Sequence, residues 1–286
     1  MHIINQPLCP ASVRSHPRLL PAKWWQKPIA QLANIAPIQT ISHPSLNAMG
    51  VSLSVKREDL LCPYLGGNKL YKLHFHIQRA LALNAQILVT FGGAYSNHIY
   101  ALARAGFEMG INTLGVIRGE RPQQLSPTLS DAAAMGMDFM FVSRESYKHK
   151  QCFAQQREWG LHQAGMYLIP EGGGDLRGAL GMAEYWHCVQ SALASQNQRY
   201  DAVIIAAGTG ASLAGIMAAS QNLSVHGVLA LKGSAKLTQQ FALQVLTQAS
   251  KLRRYCFADK SPMCWQLHTQ AHGGGYGPAK EPLKTT

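Results

Sequence analysis

The sequence predicts an α/β protein in two lobes, each an open twisted sheet flanked by helices. Two observations carry that expectation. Strand-length apolar runs alternate with stretches of helical period along most of the chain, the rhythm of α/β architecture. The length, 286 residues with 47% hydrophobic and 14% charged, suits one large domain or two ordinary ones and is not the composition of a solvated coil.

Taken in order, a proline-punctuated opening runs to about Pro44, and residues 51–56 then read as a strand. Residues 69–83 place Leu73, Ile77, Ala80 and Leu81 at helical spacing. A strand at 87–91, a helix at 96–109, a strand at 112–117, a helix at 127–135, a strand at 138–142 and a helix at 145–163 follow. A second set opens with a strand at 166–169 and continues through a helix at 179–194, a strand at 202–206, a helix from Ala211 and a strand at 225–231. The chain is expected to cross between lobes near Lys69 and again near Tyr167. That gives a small domain of residues 73–165 and a discontinuous large domain of residues 1–72 and 166–286, with any site in the cleft at the strand C-termini.

Composition excludes some classes of function. Apolar runs such as DAVIIAAG are far shorter than the roughly 20 residues of a membrane helix. The opening MHIINQPLCPASVRSHPRLL lacks the apolar stretch of a signal peptide, so a cytoplasmic location is expected. Six cysteines without a CxxC pair or metal-ligand spacing read as free thiols, and no metal site is expected. The chain carries 26 Lys and Arg against 14 Asp and Glu, a net charge of +12. The basic residues are scattered, without a block to track a nucleic-acid backbone, so a phosphate-bearing ligand is favoured over DNA or RNA.

Three glycine-marked turns carry polar groups. In LGGNKLYKL, Lys69 stands at a helix start beside Gly66 and Gly67. The helix dipole there disfavours a cation and favours the neutral amine that an imine-forming lysine needs, although an exposed lysine at such a position is commonly just solvated. In FGGAYSNH, Ser96, Asn97 and His98 fall in a first helical turn where an anion is welcome, and where Ser96 or Asn97 also suits a plain N-cap. In AAGTGASLAG, a strand, a glycine turn with hydroxyls at Thr209 and Ser212, and a helix make the parts of a phosphate cradle. The glycine spacing G-x-G-x4-G departs from the dinucleotide fingerprint, and the next strand ends in Leu231 and Lys232 instead of an acid. Both features argue against a nicotinamide enzyme.

VKREDL, GGNKLYKL, FGGAYSNH, IPEGGG and AAGTGASLAG, in that order over residues 38–278, resemble the pyridoxal phosphate enzymes that include 1-aminocyclopropane-1-carboxylate deaminase and D-cysteine desulfhydrase. The resemblance implies the tryptophan synthase β-subunit-like fold (fold type II), with the large domain binding pyridoxal 5'-phosphate. It implies a lyase or hydrolase that deaminates or β-eliminates a small amino acid, D-cysteine somewhat favoured over the cyclopropane substrate, and a homodimer. By the same resemblance Lys69 would carry the cofactor and shuttle protons at the substrate carbon, Asn97 would bond the cofactor's 3-hydroxyl, and Ser96 with its helix N-terminus and His98 would face the substrate. Lys72 matches a lysine near the phosphate, and Gly208, Thr209, Gly210, Ala211 and Ser212 would wrap it. Tyr276, in GGGYGP, matches a tyrosine over the site that stacks or transfers a proton.

The sequence also departs from the family pattern. Ala211 puts a Cβ where the loop is expected to need positive φ, Tyr71 replaces an arginine between the two lysines, and Gly174 replaces a serine. Family members continue past GYG to a DPVY-like motif at the pyridine nitrogen, whereas this chain ends in KEPLKTT, which predicts a truncated large domain. The alternatives are a cofactor-binding remnant with impaired turnover and a basic nucleic-acid-binding protein.

Overall fold

A computed structural model of the chain describes residues 19–62, 65, 67–230, 235–257 and 262–270. The chain divides into two units, Met1–Glu171 and Gly172–Thr286.

The first unit holds two sheets. β1 (Ile38–Ile41) and β2 (Leu53–Lys56) form an antiparallel pair in the register Ile38 to Lys56. The larger sheet is parallel, with strand order β5-β4-β3-β6, from β3 (Ile87–Gly92), β4 (Asn112–Arg118), β5 (Met137–Val142) and β6 (Met166–Ile169). Five of the six residues of β3 are buried, as expected of an inner strand of a parallel sheet covered on both faces. Val89, Phe91, Val116, Val142, Tyr147 and Leu161 form one buried cluster of this unit.

The helices of the first unit are α1 (Ile29–Leu32), α2 (Pro44–Ala48), α3 (Asn68–Ala82), α4 (Asn97–Met109), α5 (Pro127–Ala134), α6 (Arg144–Lys148) and α7 (Phe153–Glu158). α3 is fixed by its apolar stripe: Leu70, Leu73 and Ile77 are fully buried, each worth about 1.5–3 kcal/mol relative to exposure. α4 and α5 are started by serine caps, with the Oγ atoms of Ser96 and Ser126 accepting the N–H of Ile99 and Leu129.

The second unit contains α8 (Leu176–Ser195), β7 (Ala202–Ala207), α9 (Ala211–Ala219), β8 (Ser224–Leu229), α10 (Ala235–Leu252) and β9 (Trp265–His268). Its three strands are parallel in the order β7-β8-β9. All nine residues of α9 are buried, which a sequence apolar on every face but for Ser212, ASLAGIMAA, permits.

Most predicted elements lie within a residue or two of the observed ones, and four expectations need correction. The helix expected at 145–163 is two short helices: Cys152 is extended, and the Gln156 carboxamide takes the Lys150 carbonyl that a continuous helix would pair with residue 154. Strand 166–169, expected to open the second set, pairs with β3 and extends the first unit's sheet. The helix expected from residue 179 begins at Leu176, because Asp175 Oδ1 caps the Gly178 N–H at 3.1 Å. The sequence does not predict α1, α2, β1, α10 or β9; α1 and α2 are helices of four and five residues, β1 and β9 are four-residue strands held by their partners, whereas α10 has Phe241, Val245, Ala249 and Leu252 at readable helical spacing.

Candidate active site

The predicted site residues fall in both units. The first holds Lys69, Lys72, Ser96, Asn97 and His98, and the second holds Gly208, Thr209, Gly210, Ala211 and Ser212. Tyr276 lies outside the described residues.

In the first unit Lys69 is the second residue of α3, just past Gly67, whose φ of 70° sets the entry to the helix and whose N–H donates to the Glu58 carbonyl at 3.1 Å. The Lys69 ammonium donates to Asn68 Oδ1 at 2.8 Å. Burial lowers its pKa from 10.5 to about 8, so the neutral amine becomes accessible near neutral pH. Lys72, one turn on, is buried. His98 is 2% exposed, and neither of its ring nitrogens has a hydrogen-bond partner among the described residues. Burial holds its pKa well below the usual value, and the positive charges of Lys72, Lys69 and His76 act in the same direction.

Ser96 is the N-cap of α4, its Oγ accepting the Ile99 N–H at 3.3 Å, so the bland expectation for this residue holds while its own hydroxyl proton stays available to a ligand. A Cβ on Gly92 would stand 2.8 Å from Ser96 Oγ and 2.5 Å from Ile99 Cγ1, so the glycine permits this close packing. Asn97 is exposed on the first residue of the helix.

The loop that aims Lys69 has support that the motif alone does not reveal. Tyr71, fully buried, donates from Oη to Glu58 Oε2 at 2.8 Å, and Glu58 Oε1 pairs with Lys56 Nζ at 3.0 Å. The VKREDL segment and the helix bearing Lys69 are thereby tied together through the residue that departs from the family pattern. Arg118, at the end of β4, stands beside the FGGAYSNH turn. Its guanidinium nitrogen is 3.5 Å from where a Cβ on Gly93 would stand, and the group lies 5.8 Å from the Tyr147 ring centroid. Tyr147 donates to Glu171 Oε1 at 3.0 Å, and burial and that carboxylate push its phenol pKa up, so it remains a donor. The only sequence signal for Arg118 was its position at the end of β4 before a glycine.

In the second unit Gly210 precedes α9 with φ 88°, ψ −24°. The positive φ falls on Gly210, and Ala211 is the first residue of the helix, so the Cβ expected to obstruct the loop does not. The hydroxyl-bearing Ser212 is buried in the first turn. Gly172, φ 64°, lies where a Cβ would come within 2.7 Å of Thr209 Cγ2, so Gly172 packs directly on the glycine-rich loop. Gly174, which replaces a serine, offers its carbonyl to Gln248 Nε2 at 3.1 Å.

A buried lysine amine with a lowered pKa in the first unit and a glycine turn entering a helix in the second are, each by itself, parts that an enzyme built around a phosphate-bearing carbonyl cofactor uses. The family described as "Pyridoxal-phosphate dependent enzyme" matches residues 31–281, and the chain belongs to it. The chain is 28% identical over 225 residues to the Arabidopsis thaliana "Bifunctional D-cysteine desulfhydrase/1-aminocyclopropane-1-carboxylate deaminase, mitochondrial", covering 75% of this chain and 55% of that protein. It is 27% identical over 199 residues to the "D-cysteine desulfhydrase" of Yersinia pestis, covering 67% of this chain and 59% of that one. The crystal structure of an "ACC deaminase homologue" superposes with a TM-score of 0.67 at 24% identity, covering 97% of this chain and 79% of that chain, which shows the fold. The chain spans about half the length of the curated relatives it matches, 55% for several of them.

The residues present fit pyridoxal phosphate. In the first unit Lys69 offers an amine with a lowered pKa; in the second, Gly210 lets Val245 and Phe241 pack closely against the turn that enters α9, and the packing of Gly172 on Thr209 shapes that loop. Among the described residues no cluster suited to a metal ion occurs, and no helix is long and apolar enough to cross a membrane.

Proposed function

We propose that this protein is a pyridoxal phosphate-dependent deaminase or β-eliminating lyase of small amino acids, D-cysteine desulfhydrase-like or 1-aminocyclopropane-1-carboxylate deaminase-like. The observation that carries the proposal is Lys69, whose burial brings its amine to about 8 at the entry of α3. The relatives' names support deaminase and desulfhydrase activity, and none supports the broader hydrolase class.

Bound at Lys69, the cofactor supplies an electron sink for the bond broken at the substrate carbon. Lys69 then holds and returns the proton at that carbon. The N–H groups at the start of α4, with the Ser96 hydroxyl, orient the substrate carboxylate, and Asn97 bonds the cofactor's 3-hydroxyl. His98, kept neutral by its burial, faces the substrate without adding a cation beside Lys69 and Lys72. Residues Gly208, Thr209, Gly210, Ala211 and Ser212 hold the phosphate, Lys72 contributes positive charge to it, and Tyr276 stacks or transfers a proton. The five described cysteines are all unpaired, which supports a reducing, cytoplasmic location. A homodimer completes the proposal.

The test is product formation. With pyridoxal phosphate, D-cysteine should give sulfide, ammonia and pyruvate in equal amounts, and Lys69→Ala should give none. A protein that binds the cofactor but yields keto acid from neither D-cysteine nor 1-aminocyclopropane-1-carboxylate would refute it.

A further inference from the structure

The second unit carries a set of groups that the proposed reaction does not use. Ser224, the first residue of β8, has its Oγ 3.0 Å from Nε2 of His226. The other ring nitrogen of His226, Nδ1, lies 3.0 Å from Nε2 of His268 on the neighbouring strand β9. The strand register explains the meeting: Val228 pairs with His268, and His226 shares a face of β8 with Val228. The ring centroids are 5.3 Å apart and the planes are inclined by 24°. That separation is close to the nitrogen-to-nitrogen distance plus the two ring radii, so the rings meet end to end, as an N–H···N bond requires, and not face to face. One proton arrangement satisfies all three residues. His226 Nδ1–H donates to His268 Nε2, and His226 Nε2 is left to accept the Ser224 hydroxyl proton.

A nucleophile hydrogen-bonded to a base, with the base oriented by a third group, is the general arrangement of an activated hydroxyl. Ser224 also lines a half-open depression of about 400 Å³. Its walls include Met217, Leu223, Val225 and Met263 and carry no charged side chain, while Asn222 brings a carboxamide. Ser220 lines the same depression but is already engaged, donating to the Ile216 carbonyl at 2.7 Å and accepting the Trp186 indole N–H at 2.9 Å. Of the two serines, only Ser224 has an imidazole nitrogen as its partner.

We propose that Ser224 is the nucleophile of a second site, separate from the lysine chemistry, that hydrolyses small uncharged carboxylic esters. Ser224 Oγ bonds to the ester carbonyl carbon as its proton passes to His226 Nε2. The ester C–O bond then breaks, and the alcohol leaves with that proton. Water adds to the acyl-serine, giving a proton to the same nitrogen. The acid departs as that proton returns to Ser224 Oγ, so ester and water become acid and alcohol. Asn222, which lines the same depression, is assigned as the amide donor to the carbonyl oxygen. His268 is a positioning residue that fixes the tautomer of His226.

The experiment uses the full chain without added cofactor, so it is independent of the lysine reaction. p-Nitrophenyl acetate hydrolysis is followed alongside labelling by an alkyl fluorophosphonate, with the labelled peptide mapped by mass spectrometry. The label is expected on Ser224, and Ser224→Ala and His226→Gln are expected to slow hydrolysis by at least about 100-fold. His268→Leu should slow both reactions, and His268→Asp, which keeps an acceptor for Nδ1–H, should restore them. Circular dichroism checks the folding of each variant, and mapping the label on the unaltered chain needs no variant at all. Absence of label, label confined to another residue such as Cys264, or undiminished hydrolysis by a folded Ser224→Ala protein would overturn the proposal.

Discussion

Lys69 titrates near pH 8 instead of 10.5 because burial withholds water from its ammonium form. At pH 7.5 about a quarter of the side chain is then neutral, against about one in a thousand for an ordinary lysine, a gain of roughly 200-fold in reactive amine. Bonding to the cofactor's aldehyde requires that neutral amine. Mixing the cofactor-free protein with pyridoxal phosphate in a stopped-flow spectrometer from pH 6 to 10 should therefore give a visible band whose rate of growth rises about tenfold per pH unit up to about 8 and levels above it. Lys69→Arg, always protonated, should give no band. A rate that climbs through pH 9.5 without a break would refute the reasoning, since it would show an ordinary lysine. The same shift has a consequence for stability. Between pH 8 and 10.5 the unfolded chain holds a proton that the folded chain has released, so the stability of the cofactor-free protein rises with pH through that window by roughly 3 kcal/mol. Below pH 8 the whole penalty is present, and Lys69→Met should be the more stable protein at pH 7 by a comparable amount.

His74 is held at about pH 4 by burial, so the unfolded chain takes up a proton between pH 6.5 and 4 that the folded chain refuses. Stability should be fully present above pH 6.5 and fall by roughly 3 kcal/mol on the way to pH 4, and urea titrations of His74→Phe should show a flatter pH profile. Gly172→Ala would force a Cβ within 2.7 Å of Thr209 at a φ of 64°; a stability loss of about 1–2 kcal/mol and weaker cofactor binding by equilibrium titration are expected. Tyr71→Phe removes the donor to Glu58 Oε2 and should cost about 1–3 kcal/mol in urea unfolding.

The candidate site was legible where local chemistry forced it. The glycines around Lys69, the serine cap at Ser96 and the strand-turn-helix at Gly208 each leave a signature within ten residues of sequence. What was not legible depends on residues far apart in the chain. Arg118 comes to Gly93 because β4 pairs beside β3, and no local pattern announces that. Tyr71 looked like a departure from the family pattern, yet its hydroxyl reaches back to Glu58 and secures the helix. The concern over Ala211 vanished for a local geometric reason, since the left-handed residue is the one before it. The long helix expected at 145–163 failed because the Gln156 side chain competes for a backbone carbonyl, a competition that periodicity does not register.

The sequence by itself determined the α/β class, the order of most elements and the lysine and glycine turns, because side-chain periodicity and turn chemistry act over a few residues. Tertiary structure alone decided that β6 joins the first unit's sheet, that Lys69 is buried enough to lose its proton near pH 8, and that His226 and His268 meet across two strands. Strand register, desolvation and the meeting of distant side chains are properties of the packed chain, set by which surfaces come together and not by neighbours in sequence.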